Sequence, residues 1–134
     1  LQRTHFMKHL LPEGWPRPRG YSNGIQAEGS FVFVAGMVGW TEAGEFPDDF
    51  AGQFRQLLKN TVAVLAEAGA GPEHVVRMTW NVTDLDLYRS SLLEVGKIYK
   101  ELMGKNFPVM AVIGISGLVE QKALIEIETT AVIS

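Results

Sequence analysis

The residues that could carry chemistry lie near the two ends of the chain. Glu126 stands in the alternating segment Ile125-Glu126-Ile127-Glu128, and Tyr21 follows Gly20 in a polar turn. A carboxylate held beside a bound molecule can orient a water and accept its proton, while a tyrosine ring can form part of a pocket wall. On the residues alone, Glu126 and Glu128 are better explained as the polar face of a strand, and Tyr21 as an ordinary interface tyrosine.

Four further residues could line a binding pocket. Arg17 and Arg19 precede Tyr21, and either could place a positive charge against a carboxylate, although such arginines are more often solvated. Met37 and Trp40 follow a strongly apolar segment and could form an apolar wall suited to an unsaturated or aromatic-derived molecule. Plain interface packing is the alternative for both.

Composition excludes several classes of site. The 134 residues include no cysteine, which rules out disulfides, thiol nucleophiles and thiolate metal sites. We predict no metal site, because the histidine pair His5 and His9 lies just before a proline-rich stretch and lacks a third ligand. The net charge is −3 with scattered lysines and arginines, so nucleic acid is disfavoured as a partner. No apolar stretch reaches the length of about 18 residues that a membrane span needs, and we expect a cytoplasmic protein.

Hydrophobic periodicity divides the chain into strands and helices within one domain over residues 1–134. Residues 1–19, rich in Pro, Arg and Gly, predict an extended N-terminal arm, with Met7 a candidate natural start. Two helices are predicted, one from a cap at Asp48 to Gly69 and one from about Leu87 to Gly104. Strands are predicted over residues 21–27, 30–38, 75–84, 108–118 and 122–133, with a hairpin turn at Glu28-Gly29 between the first two.

This order, ββαβαββ, predicts an α+β fold in which two helices cover one face of a single mixed sheet. If the opposite face met water, apolar and charged residues should alternate along each strand. In the last strands, however, the odd- and even-numbered positions are both largely apolar or small, so both faces of the sheet are apolar there. Because both helices are used on one face, the simplest cover for the other is a second copy of the chain. The sequence therefore predicts a symmetric homo-oligomer.

Three segments resemble the YjgF/YER057c/UK114 family, also called Rid or reactive-intermediate deaminases. They are Gly20-Tyr21-Ser22-Asn23-Gly24, Phe31-Val32-Phe33-Val34-Ala35-Gly36 and Ile125-Glu126-Ile127-Glu128. The match runs from about residue 14 to 133, and it is the ordered set of segments that is specific. The resemblance implies a chorismate-mutase-like homotrimer with an inner barrel of three sheets, helices outside, and small-molecule pockets between subunits.

The resemblance also implies an activity and the residues for it. Family members with deaminase activity hydrolyse enamines and imines of 2-oxo acids without a metal or organic cofactor. By position, Tyr21 corresponds to the family's pocket tyrosine, and Glu126 to the glutamate that orients the attacking water. Where those members carry a carboxylate-clamping arginine, this chain has Met110, so it is identified as a divergent member. A thioether supplies neither charge nor a hydrogen-bond donor.

Three functions follow in order of preference. The first is a cofactor-independent hydrolytic deaminase of enamine or imine intermediates, acting on 2-oxo-acid-type or 2-aminomuconate-like substrates in a pocket with Met110 and Trp40. The second, favoured by the missing arginine, is a trimer that binds a small metabolite without chemistry. The third is an endoribonuclease or translation inhibitor, disfavoured because the acidic chain has no credible catalytic histidine pair and no basic groove.

Overall fold

A four-stranded mixed sheet forms the centre of the molecule in a computed structural model that describes residues 6–134. Its strands follow the order β3-β6-β4-β5, where β3 is Ser30–Met37, β4 is Val75–Val82, β5 is Val109–Gly114 and β6 is Ile125–Ile133. Strand β6 pairs antiparallel with both β3 and β4, whereas β4 and β5 are parallel. The predicted α+β class with a mixed sheet is confirmed.

The predicted hairpin between the first two strands is wrong. Strand β2, Ile25–Ala27, pairs antiparallel with β1, Met7–His9, and the two form a separate small sheet. The arm residues 6–19 thus contribute a strand that the sequence did not predict. The turn at Gly29 explains the difference, because its φ of +142° carries the chain across the end of β6, where a Cβ would lie 2.0 Å from the Ile133 carbonyl oxygen. Strand β3 then takes β6 as its partner.

Three helices cover one face of the sheet, where two were predicted. Helix α1, Phe50–Glu67, begins after Asp49 rather than after the predicted cap Asp48, and the side chain of Asp49 makes no capping hydrogen bond. Gly69 ends it as expected, with a φ of +73°. The second predicted helix is divided into α2, Leu85–Ser90, and α3, Leu92–Met103.

The division falls at a pair of serines. The hydroxyls of Ser90 and Ser91 both donate to the Leu87 carbonyl oxygen, at 2.9 and 2.8 Å. Such local bonds compete with the helical backbone ladder and favour a helix end. Asp84 caps α2, because its side chain accepts a hydrogen bond from the Leu87 backbone N–H at 3.0 Å.

One hydrophobic core lies between the helices and the sheet. Its fully buried members come from alternate positions of the strands and one stripe of the helices: Phe54, Leu57, Leu58, Leu65, Met78, Met103, Ile125 and Ile127. These positions follow the periods of 2 and 3.6 expected of half-buried strands and amphipathic helices. No helix within residues 6–134 is long and apolar enough to cross a membrane.

The face that the helices leave uncovered, called here the open face, is not a typical solvent-exposed surface. Phe31 and Phe33 of β3 are 63% and 73% exposed, and Ile113 of β5 is 47% exposed. Between these edge strands lie polar residues of β4 and β6, among them Asn81 and Glu126, which are register partners. Large exposed apolar side chains of this kind mark an interaction surface.

Candidate functional site

A cleft of about 650 Å³ lies between helix α3 and the edge strand β5, and is called here the α3–β5 cleft. This volume is within the range of small-molecule sites. Of the residues predicted to form a site, Tyr21, Arg19 and Met110 line it. The sheet register explains the position of Met110, since it pairs with the buried Met78, so its side chain lies on the helix side of the sheet.

Two contacts of Ser22 attach the segment that carries Tyr21 to the segment before β5. The backbone N–H of Ser22 donates to the Pro108 carbonyl oxygen at 3.0 Å, and its hydroxyl donates to the Phe107 carbonyl oxygen at 2.5 Å. Gly20, with a φ of +78°, turns the chain just before Tyr21. These contacts hold Tyr21, which is 42% exposed, at the rim of the cleft.

Four aromatic side chains form one wall of the cleft: Trp80, Tyr88, Tyr99 and Phe107. The Tyr99 and Phe107 rings stack with centroids 5.8 Å apart, and the Trp80 ring lies 6.2 Å from Tyr99 and 6.3 Å from Tyr88. Burial raises the pKa of both Tyr88 and Tyr99, so both phenols are neutral at ordinary pH. The Tyr99 hydroxyl donates to the Asn106 carbonyl oxygen, which fixes its ring.

Arg17 lies beside a second, smaller cleft of about 440 Å³. The two clefts share Tyr21, Lys105 and Phe107, which separate them. Arg17 and Arg19 therefore face different spaces on either side of Tyr21, and only Arg19 lines the α3–β5 cleft. His9, also beside the smaller cleft, has its Nδ1 3.0 Å from the Ser22 hydroxyl.

Glu126 lies on the open face, away from the α3–β5 cleft. Its register partner is Asn81, whereas Met110 and Val112 are opposite Met78 and Trp80 on the helix side. The Glu126 carboxylate packs over Gly36, where an added Cβ would lie 2.7 Å from its Oε1. The absence of a side chain at Gly36 thus provides the space for this carboxylate.

Met37 and Trp40 follow Gly36 along the chain, but neither lines either cleft. Met37 pairs with Ile127 after an irregularity in the β3–β6 register and is partly buried. Trp40 is 41% exposed, and its ring lies 6.2 Å from that of Phe46. Within one chain, Tyr21, Arg19 and Met110 form a cleft group, and Glu126 lies on the open face. Arg17 lies beside the smaller cleft, Met37 packs against the core, and the Trp40 carbonyl oxygen accepts a hydrogen bond from Asn60 of α1.

Sequence reasoning missed the lysines of the cleft. Lys100, near the end of α3, and Lys105, in the loop that follows, both line it, as does Gly96 of α3. The helical period places Gly96, Tyr99 and Lys100 on one side of α3, which is the only sequence signal that could have grouped them. Within residues 6–134, no three His, Asp or Glu side chains are grouped as metal ligands would be.

Because a charge without a partner is costly on a face that other copies would cover, the sequence predicts that Arg77 forms an ion pair with Glu126 or Glu128, in the same or another subunit. No such pair is present between the described residues of one chain, and Arg77 is exposed on the open face. Its partner in β6 is Thr130, while Glu128 is opposite Thr79. A pairing with another copy of the chain stays a prediction.

Comparison with known proteins identifies the family. The sequence profile of the family described as Endoribonuclease L-PSP matches residues 16–133. A RutC family protein of Pyrococcus abyssi is 33% identical over 125 residues, which cover 91% of this chain and 94% of that protein. The crystal structure of a Rid family protein of unknown function from Yersinia pestis superimposes with a TM-score of 0.84 at 29% identity, covering 95% and 98% of the two chains.

A third relative carries a functional name. The Escherichia coli protein named as a putative reactive intermediate deaminase, TdcF, is 29% identical over 116 residues, covering 84% of this chain and 85% of that one. Its crystal structure with bound serine superimposes with a TM-score of 0.69 and covers 90% of this chain and 92% of that one. With a family profile spanning nearly the whole chain, this protein belongs to the Endoribonuclease L-PSP family, the YjgF/YER057c/UK114 or Rid proteins.

Proposed function

We propose that the chain is a hydrolytic deaminase of enamine or imine intermediates of the 2-oxo-acid or 2-aminomuconate-like type. Family membership supports reactive-intermediate deamination as the general class of function. The observation that carries the proposal for this chain is the pair Glu126 and Gly36. The Glu126 carboxylate occupies the space that the missing side chain of Gly36 leaves, on the face of the sheet that the helices do not cover, and a carboxylate placed in this way can orient a water.

The reaction requires few groups from the protein. Water adds to the electrophilic imine carbon, its proton passes to the carboxylate of Glu126, and the carbon–nitrogen bond of the resulting carbinolamine then breaks. The nitrogen leaves as ammonia after taking up protons, and a carbonyl remains on the substrate. An enamine first takes up a proton on carbon to become the imine. Positioning the substrate beside an oriented water lowers the barrier, because the reacting groups no longer have to be brought together.

A working site that includes Tyr21, Met110 and Glu126 needs two copies of the chain, since Glu126 is on the opposite side of the sheet from Met110. The open face, with its exposed phenylalanines, offers the surface through which copies would pack. We propose a homotrimer whose pockets combine the cleft group of one subunit with the Glu126 of another. Trp40, which is 41% exposed, would contribute an apolar surface to such a pocket, whereas Met37 packs against the core on the helix side and would act only by supporting the strand below it.

Ammonia release from freshly generated imines tests the proposal. We expect Glu126→Gln to lower the rate by about 10²- to 10⁴-fold, the range for loss of a general base. The matched control is Glu128→Gln, two residues along the same strand, which should change the rate by less than about threefold. Wild-type protein that releases ammonia no faster than buffer on a panel of 2-oxo-acid imines and 2-aminomuconate would refute the deaminase.

A second candidate function is a trimer that binds a small metabolite without turnover. Met110 favours it, because the side chain at this position in the cleft carries no charge for a substrate carboxylate. Incubation of the protein with a bound imine separates the two functions. Retention of the intact ligand over hours supports the binding protein, whereas ammonia and a free carbonyl compound support the enzyme.

A further inference from the structure

The α3–β5 cleft carries a concentration of positive charge that the chain as a whole does not. Its charged lining residues are Arg19, Lys100 and Lys105, and none of the described lining residues is Asp or Glu. The whole chain has a net charge of −3, so this local excess opposes the overall balance. None of the three cations forms an ion pair within residues 6–134. The cleft thus presents three available cations to an anion.

The lining of the cleft beside these cations is apolar and aromatic. Its partly exposed rings are those of Tyr21, Tyr88 and Phe107, and a planar molecule can pack against them, while the buried rings of Tyr99 and Trp80 support the latter two from behind. Trp80 is only 3% exposed, and its indole Nε1 has no hydrogen-bond partner in the described chain. A planar group stacked on this wall would have its charged end at the rim, where the cations are.

Gly96 keeps the cleft open. It occupies the middle of α3, where glycine is less favourable than alanine by about 1 kcal/mol. A Cβ built at Gly96 has no atom within 4 Å, so neither the turn of the helix nor the packing requires a glycine there. A larger side chain at this position would fill part of the cleft, because Gly96 is one of the residues that line it.

From these three observations we propose that the α3–β5 cleft binds a planar, conjugated or aromatic carboxylate. Lys100 and Lys105, assisted by Arg19, hold the carboxylate, in the place of a cation at position 110. The aromatic wall holds the conjugated part, and Gly96 sets the width available to it. The inference rests on the proposed function in one respect, which is that this cleft is taken as the substrate-binding half of the site. It narrows the proposed substrate to planar, conjugated or aromatic carboxylates.

Direct binding of trans-cinnamate to the full-length chain, measured by isothermal titration calorimetry, tests the inference. Cinnamate has no carbon–nitrogen bond to hydrolyse, so the result does not depend on turnover. We expect cinnamyl alcohol, which keeps the ring and the double bond but has no charge, to bind at least about tenfold more weakly. Butyrate, which keeps the charge without the planar group, should also bind at least about tenfold more weakly.

Two sets of variants locate the binding. Lys100→Met with Lys105→Met should weaken cinnamate binding by about tenfold or more, whereas the matched pair Lys59→Met with Lys97→Met, which removes the same charge outside the cleft, should leave it within about twofold. Gly96→Leu should abolish binding, and Gly96→Ala should change it by less than about threefold. If Gly96→Leu does not fold, the lysine variants decide.

Three results would overturn the inference: no binding of cinnamate by folded protein at millimolar concentration, equal affinity for cinnamate and cinnamyl alcohol, or equal effects of the two lysine pairs. The deaminase proposal fails separately. Absence of ammonia release with cinnamate binding intact contradicts the enzyme and leaves the ligand class standing. Ammonia release without cinnamate binding contradicts the ligand class alone.

Discussion

Phenylalanine side chains are buried on one face of the central sheet and exposed on the other. Phe54 of α1, on the helix face, is fully buried, whereas Phe33 of β3, on the open face, is 73% exposed. The helix face is complete within one chain and includes the wall of the α3–β5 cleft. The open face carries Glu126 and an apolar surface that one chain does not cover. The proposed ligand-binding half of the site thus lies on a face that one chain completes, and the proposed catalytic half lies on a face that one chain leaves uncovered.

The largest effect should come from truncating a phenylalanine on each face. Phe54→Ala leaves a cavity in the core and should lower the free energy of unfolding by about 3–5 kcal/mol. Phe33→Ala removes a side chain that the single chain leaves exposed, so its effect should fall on assembly of the copies. Chemical denaturation measures the first effect, and sedimentation at several protein concentrations measures the second. If Phe33→Ala leaves the oligomer intact down to nanomolar concentration, Phe33 does not contribute to the contact between copies.

The next largest effect should come from Gly36 on the open face. Gly36→Ala places a methyl group against the Glu126 carboxylate. Because the added Cβ would lie only 2.7 Å from Oε1, the carboxylate must move. A displacement of about 1 Å lowers turnover by about 100-fold. Gly117→Ala is the control, because its added Cβ has no atom within 4 Å. Ammonia release is measured for both, and equal rates would show that the position of Glu126 is not limiting.

On the helix face, the buried tyrosines predict an alkaline loss of stability. Burial raises the pKa of Tyr99 above its ordinary value of 10.0, and that of Tyr88 in the same direction. Above pH 10 the unfolded chain releases phenol protons that the folded chain retains, so the free energy of unfolding falls as the pH rises. In Tyr99→Phe the slope should be shallower by up to about 1.4 kcal/mol per pH unit. Denaturation between pH 9 and about 11.5 measures the slopes, and identical slopes would contradict the burial of Tyr99.

The smallest effect concerns Gly96 in the cleft. Gly96→Ala should raise the free energy of unfolding by about 0.5–1 kcal/mol, because alanine restricts the unfolded chain and favours the helix. Thermal denaturation at fixed pH measures the change. A decrease in the free energy of unfolding would mean that a Cβ at Gly96 meets neighbouring atoms, although none lies within 4 Å of it.

The sequence predicted the elements whose signals are local. The helical spacing from Phe50 to Leu65 located α1, and the alternation of apolar and polar residues around Met78 and Trp80 located β4. The hairpin at Glu28-Gly29 was predicted wrongly because the partner of each strand is set by distant residues, here Ile133 and the arm. The division of the second helix at Ser91 was missed because the spacing of apolar residues carries no information about hydroxyls that hydrogen-bond to the backbone.

The candidate site divides in the same way. Tyr21 and Met110 could be found from the resemblance and do share a cleft. Lys100 and Lys105 belong to no motif, and only the packing of α3 and its following loop against β5 places them beside Tyr21. That Glu126 faces away from Met110 follows from the register between β4, β5 and β6, which no single segment contains.

Sedimentation velocity of the full-length chain at micromolar concentration tests most directly whether copies of the chain complete the open face. We expect a single species with three times the 14.8 kDa mass of the chain. A stable, well-folded monomer under the same conditions would contradict the account, because the cleft group and Glu126 would then never meet.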